Sequence, residues 1–120
     1  MLVIDTANVI GSRPTGWWRD RPGATRRFTE RVRASVTIGR LAPPVTLVLE
    51  GDARSGADEA DADGVEVVHA PGDGDDTIAA IAAAHRHVIV VTADRELVER
   101  VRAANADVVG PKWLLDQVVD

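Results

Sequence analysis

The chain contains no cysteine, which excludes disulfides, thiolate zinc sites and cysteine nucleophiles; any metal must be held by oxygen or imidazole. Imidazole is scarce too. Of the three histidines, His85 and His87 stand two apart in a segment with helical spacing, face different ways and make a poor chelate. Long apolar runs are also missing. The run after Met1 ends at Asp5, far shorter than a signal peptide, and nothing approaches the length of a membrane span. The expectation is a soluble, cytoplasmic protein with no membrane partner. There is no internal repeat. With 120 residues, 45% of them hydrophobic, the chain reads as a single domain over 1–120 that buries well over half of its unfolded surface.

Charge is unevenly distributed. Residues 1–40 hold eight arginines (13, 19, 21, 26, 27, 31, 33 and 40) against Asp5, Asp20 and Glu30, an excess of +5. The other eighty residues hold sixteen acids against six bases, so the total is −5. A basic first third beside an acidic remainder suits a protein that draws in a polyanion and handles it at a cation-filled acidic pocket. Arginines that merely solvate a helix face would give the same count.

Five apolar runs with strand character are separated by helices or helix-length connections. Leu2–Ile4 leads into a loop marked by Asn8, Gly11, Pro14 and Gly16. A helix from Pro22 to about Ile38 carries Phe28, Val32, Ser35 and Val36 on one face, and Val45–Leu49 follows the Pro43-Pro44 pair. Residues 51–64 read as a mobile connection with one helical turn. Val65–His69, Val88–Val91 and Val108-Val109 are the remaining strands. A helix follows the acidic stretch at 73–76, another spans Arg95–Ala104, and Lys112–Val119 closes the chain, with Trp113 expected in the core. The pattern predicts an α/β fold, a three-layer α/β/α sandwich on a mainly parallel five-stranded sheet.

Right-handed crossovers in such a sheet bring every strand-to-helix loop to its carboxyl edge. Asp5, Glu50, Asp73, Asp75, Asp76 and Asp94 all fall there. Asp75 or Asp76 is expected to cap its helix and Asp73 to be a turn residue, while Asp94 serves equally as cap or ligand. Several carboxylates at one rim, with no cysteine and no histidine set, point to a hard cation, magnesium or manganese. Such ions activate water and stabilise charge during phosphoryl displacement.

Four blocks, 3-VIDTANVIGS-12, 47-LVLEG-51, 74-GDDTI-78 and 90-VVTADREL-97, resemble the signature segments of NYN domains in the PIN-like nuclease superfamily, in order and over nearly the whole chain. The resemblance implies a Rossmann-like sheet of order 3-2-1-4-5 and a magnesium- or manganese-dependent ribonuclease activity. By position, Asp5, Asp75, Asp76 and Asp94 match the family's catalytic, metal-binding aspartates, and Asn8 matches its first-loop asparagine. The second strand ends in Glu50 where aspartate is commoner, leaving Glu50 or Asp52 to complete the metal site.

The segment 12-SRPTGWWRDR-21 supplies the strongest non-acidic feature. Trp17 and Trp18 among Arg13, Arg19 and Arg21 form a candidate stacking platform for substrate, at roughly 1–3 kcal/mol per base, with at least one ring packed against the fold. Asp20 is expected to pair locally with Arg19 or Arg21. The leading expectation is an endoribonuclease that hydrolyses phosphodiester bonds in single-stranded RNA. A nucleotide or small-molecule phosphohydrolase of the pyrophosphohydrolase type with the same metal site, and a catalytically silent RNA-binding or interaction module, are the alternatives. RNA, single-stranded or structured, is the expected partner, and a homodimer is left open.

Overall fold

A computed structural model describes residues 1–120. In chain order the strands are β1 (Leu2–Asp5), β2 (Val45–Leu49), β3 (Ala60–Ala62), β4 (Val65–His69), β5 (Ile89–Val91) and β6 (Asp107–Val109). The helices are α1 (Thr6–Gly11), α2 (Arg21–Thr37), α3 (Gly74–Ala84), α4 (Arg95–Ala103) and α5 (Pro111–Gln117), with 3-10 turns at Trp17–Arg19 and Gly51–Gly56. The sheet runs β3-β4-β2-β1-β5-β6. Its parallel part, β4-β2-β1-β5-β6, has the expected order, and β3 pairs antiparallel with β4 to make the sheet six-stranded and mixed.

Alternation along the central strands divides the core. Leu2 and Ile4 of β1 and Val45, Leu47 and Leu49 of β2 meet Val9 of α1, Phe28 and Val32 of α2, and Leu114 of α5. Val3, Val48 and Val90 point to the other face and meet Ile78 and Ala82 of α3 and Leu97 and Val101 of α4. Side chains of a strand alternate by face, and β1 and β2, buried at every position, are covered on both sides. Truncating a fully buried residue of this core, such as Leu47, would cost roughly 2–5 kcal/mol. No helix is long and apolar enough to cross a membrane.

Several expectations need correction. The stretch after Asp5 is α1 rather than open loop, because Val9 reaches the core from a helix that starts directly at the strand end. The 51–64 segment carries more regular structure than a connection with one helical turn. It forms the 3-10 turn and then β3, which joins β4 through Asp63 and Gly64, both with positive φ (56° and 81°). That pair of conformations suits a two-residue hairpin, where Asp-Gly is a favoured sequence. The His69 ring meets the Ala57 carbonyl at 2.7 Å and its amide donates to Glu59 at 2.9 Å, which fastens the same segment. Trp113 is 43% exposed, because α5 turns Pro111 and Leu114 to the core and leaves the indole off that face. His85 and His87 lie past the end of α3 and are exposed, so they are not helical.

The 3-10 turn at 51–56 packs on α2 through Gly56, where an added Cβ would lie 2.4 Å from the Pro22 carbonyl oxygen and 2.8 Å from Thr25 Cβ. Backbone must move to admit it. Gly56→Ala should therefore lower stability by about 1–3 kcal/mol, read as a shift of the urea midpoint; an unchanged midpoint would mean the turn is free to lift off α2.

Candidate functional site

Three strand ends and one helix start converge at the carboxyl edge of the sheet. Asp5 closes β1 and is 5% exposed. Its Oδ2 accepts a 2.8 Å hydrogen bond from Thr92 Oγ1. The same hydroxyl oxygen accepts the Asp94 amide hydrogen at 3.1 Å, so one side chain after β5 links two of the acids. Asp94 is the N-cap of α4, its Oδ1 accepting from the Leu97 amide at 3.1 Å. Cap and cluster member are thus one residue. Asn8 Oδ1 accepts from the Ala93 amide at 2.8 Å, tying α1 to the loop that carries Thr92 and Asp94. A brace of that kind keeps the β5–α4 loop at a fixed height over β1.

Glu50 follows β2 and accepts the Gly74 amide hydrogen at 3.3 Å. A Cβ on Gly74 would stand 3.0 Å from Glu50 Oε1, so glycine here permits the close approach of α3 to the end of β2. Asp73, expected only in a turn, is the N-cap of α3 and accepts from the Asp75 amide at 3.0 Å. Neither Asp75 nor Asp76 is then needed for capping. Helical phase separates them, since successive residues of an α-helix point about 100° apart. Asp76 turns outward to an exposed ion pair with Arg100 of α4 at 3.0 Å, so it does not join the cluster that its sequence position suggested. Asp75 faces the other acids, and its carboxylate accepts no hydrogen bond.

Electrostatics identify the members of the group. Burial pushes the Asp5 carboxyl above its ordinary value, the Thr92 hydrogen bond opposes this, and Glu50 and Asp94 repel it further. Asp75 is raised to about 6, first by desolvation and then by repulsion from Asp5, Asp73, Asp94 and Glu50. Glu50, not Asp52, therefore belongs to the cluster. Asp52 lies in the following 3-10 turn and is exposed. The ion pairs of the chain are Arg31–Asp120, Arg100–Asp76 and Lys112–Asp116, and none of them neutralises Asp5, Glu50, Asp75 or Asp94. As the side chains stand, no three carboxylate or imidazole groups are close enough together to chelate an ion.

A cavity of about 470 Å³ opens beside Glu50, between α1, α2 and the 51–56 turn, and is lined in part by Ile10, Trp17, Arg21 and Asp52. The Arg21 guanidinium sits 4.9 Å from the centre of the Trp17 ring, and Arg19 sits 5.7 Å from that of Trp18. The two indoles meet edge to face at 6.0 Å. Trp17 is half-buried and Trp18 is 51% exposed, as the expectation of one packed ring requires. Asp20 does not pair with either neighbouring arginine; it caps α2 by accepting from the Gly23 amide at 2.9 Å. Arg13 lies apart from this cavity, at a second one on the far side of Ile10.

The fold is shared with a solved protein. Rae1 (YacP) from Bacillus subtilis superposes with a TM-score of 0.69 at 18% identity, over 97% of this chain and 72% of that one. At that identity the likeness concerns the fold alone. No family model matches the chain, and no curated protein matches it.

In the sequence Thr92 can assist the site through its hydroxyl, yet threonine is ordinary at a strand end and the residue does not stand out. Its hydroxyl is buried, donates to Asp5 and accepts from Asp94. Thr92→Val preserves the shape and removes both bonds, leaving a buried carboxylate without its side-chain donor. The expected cost is about 1–3 kcal/mol, measured by urea unfolding, and a variant as stable as the parent would show that the bridge carries nothing.

Proposed function

We propose that this chain is a metal-dependent endoribonuclease that cuts single-stranded RNA at the rim formed by Asp5, Glu50, Asp75 and Asp94. One observation carries the reading: separate elements bring four carboxylates together around charge that no lysine, arginine or histidine of the chain neutralises. Its resemblance to NYN domains in four ordered blocks supports the same activity. The donor set fits magnesium or manganese, since it is all oxygen and over-charged. Magnesium commonly keeps several waters and takes few direct carboxylate ligands, which agrees with acids grouped more loosely than a closed chelate.

Asp5, Asp75 and Asp94 would hold the ion, with Glu50 at the edge. Bound there, the ion would supply Lewis-acid stabilisation of the phosphoryl charge and activation of a water. The protein's own part is positioning. Thr92 orients Asp5, the Leu97 amide fixes Asp94, and the Gly74 amide fixes Glu50, while the Asp75 carboxylate accepts no hydrogen bond and is free to adjust. The cavity beside Glu50 would receive the nucleotide next to the cleaved bond, against Trp17 and Arg21, and exposed Trp18 would stack a neighbouring base.

That cavity also favours a second reading, because its volume lies within the usual range for small-molecule pockets. The chain would then hydrolyse a nucleotide or a similar small phosphorylated compound. Supplying single-stranded RNA and nucleoside triphosphates together, with magnesium or manganese, separates the readings. The nuclease reading predicts RNA cleavage that persists under excess triphosphate. Triphosphate hydrolysis with intact RNA would replace it by the second reading, and RNA binding without turnover of either substrate would leave a silent binding module.

A further inference from the structure

The second cavity carries chemistry that the acidic rim leaves unused. It has a volume of about 310 Å³, an apolar floor that includes Phe28 and Leu115, and three arginines, Arg13, Arg27 and Arg31, with no carboxylate in its lining. In a chain of net charge −5, that is a local reversal of sign. Arg31 is committed elsewhere: its Nε donates to the Val119 carbonyl at 2.8 Å and its guanidinium lies 3.9 Å from Asp120. Arg13 and Arg27 have neither an ion pair nor a side-chain hydrogen bond within the protein. Glu30 and Asp120 line an adjoining shallow depression that shares Arg27 and Arg31 with this cavity, and neither carboxylate pairs with Arg13 or Arg27.

The position matters as much as the charge. Ile10 and Ala24 line this cavity and also the one beside Glu50, so they form a low saddle between the two. A strand lying at the acidic rim can pass Trp17 and Arg21, cross the saddle, and arrive at Arg13 and Arg27. Guanidinium groups match phosphate oxygens in a two-point geometry, and an apolar floor can take the face of a sugar or base.

We infer that the Arg13–Arg27 cleft binds the phosphodiester backbone of the same single-stranded RNA, away from the bond being cut, and so sets the path of the strand between α1 and α2. The path rests on the nuclease reading; binding in the cleft can be tested without cleavage. The probe is a fluorescein-labelled single-stranded RNA of about 12 nucleotides, its affinity for the full chain measured by anisotropy over a range of salt in chelator. Arg13→Gln and Arg27→Gln are compared with Arg102→Gln, which removes the same charge from exposed α4 on the opposite layer.

Each cleft variant should weaken binding about tenfold at moderate salt and lower the slope of log affinity against log salt by about 0.7, the share of one single-strand phosphate contact. Arg102→Gln should change neither. Parent-like affinity and slope in both cleft variants would overturn the inference, as would an equal effect of Arg102→Gln. The outcomes stay distinct from those for catalysis. Weakened binding in a chain that cleaves nothing keeps the cleft and removes the nuclease, whereas cleavage lost in Asp5→Asn alongside parent-like Arg13→Gln and Arg27→Gln removes the cleft alone.

Discussion

Asp5→Asn should slow magnesium- or manganese-dependent RNA cleavage about 10³-fold, roughly 4 kcal/mol of transition-state stabilisation, and Asp5→Asn with Asp94→Asn should abolish it. Both variants should remain folded. Asp5 is the most buried of the four acids, and Thr92 Oγ1 holds it at 2.8 Å. Asparagine has the same shape and offers that hydroxyl an acceptor oxygen, so the hydrogen bond can survive. What disappears is the negative charge. Because burial disfavours that charge, its removal should not destabilise the chain, and any loss of turnover reports on chemistry. Single-turnover rates paired with thermal melts make the measurement. Full activity in the double variant, or parent activity undiminished in chelator, would contradict the metal mechanism.

Asp75→Asn should likewise cost activity, and at neutral pH it should raise stability. Asp75 titrates at about 6 in the folded chain against an ordinary value of 3.8. Between those values the folded state keeps a proton that the unfolded state has released, so stability falls as pH rises through this window. Above pH 6 the penalty is complete; below 3.8 it is absent. The full shift would amount to about 3 kcal/mol, but Asp75 is only partly buried and screening reduces this to about 1 kcal/mol. In chelator at pH 7 to 8 the asparagine variant should therefore melt higher than the parent, and the difference should vanish by about pH 4. Millimolar magnesium should narrow the gap from the other side, since an ion that binds only the folded parent stabilises it by mass action. A variant less stable than the parent at pH 8 in chelator would mean that repulsion does not set the Asp75 environment.

Much of this site was legible because its signals are local. An apolar run that ends in an acid marks a strand end, and crossover handedness brings such ends to one edge; Asp5 and Glu50 needed no more than that, and Asp94 stands in the loop directly after β5. The choice between Asp75 and Asp76 was not legible. It depends on the helical phase of α3, which is set by how Asp73 caps the helix and how Gly74 fits against Glu50. Both are contacts of the folded chain. The role of Thr92 was hidden for a similar reason, since its partner Asp5 lies 87 positions away in sequence.

The sixth strand was missed differently. Ala60-Asp61-Ala62 has no apolar alternation and is exposed throughout, so periodicity gave no sign of it. The one available signal was Asp63-Gly64, a hairpin pair just before the apolar run of β4. Trp113 was misplaced because a large aromatic beside two leucines reads as core, whereas a seven-residue helix has only one narrow buried face.

The proposed mechanism requires a cation at the acidic rim. Crystals of the parent soaked in manganese, with anomalous diffraction recorded at a wavelength where manganese scatters, test it directly. An anomalous peak is expected among the carboxylates of Asp5, Asp75 and Asp94, absent from crystals of Asp5→Asn with Asp94→Asn. A soaked parent crystal with no peak at that rim, or with its manganese bound elsewhere, would contradict it.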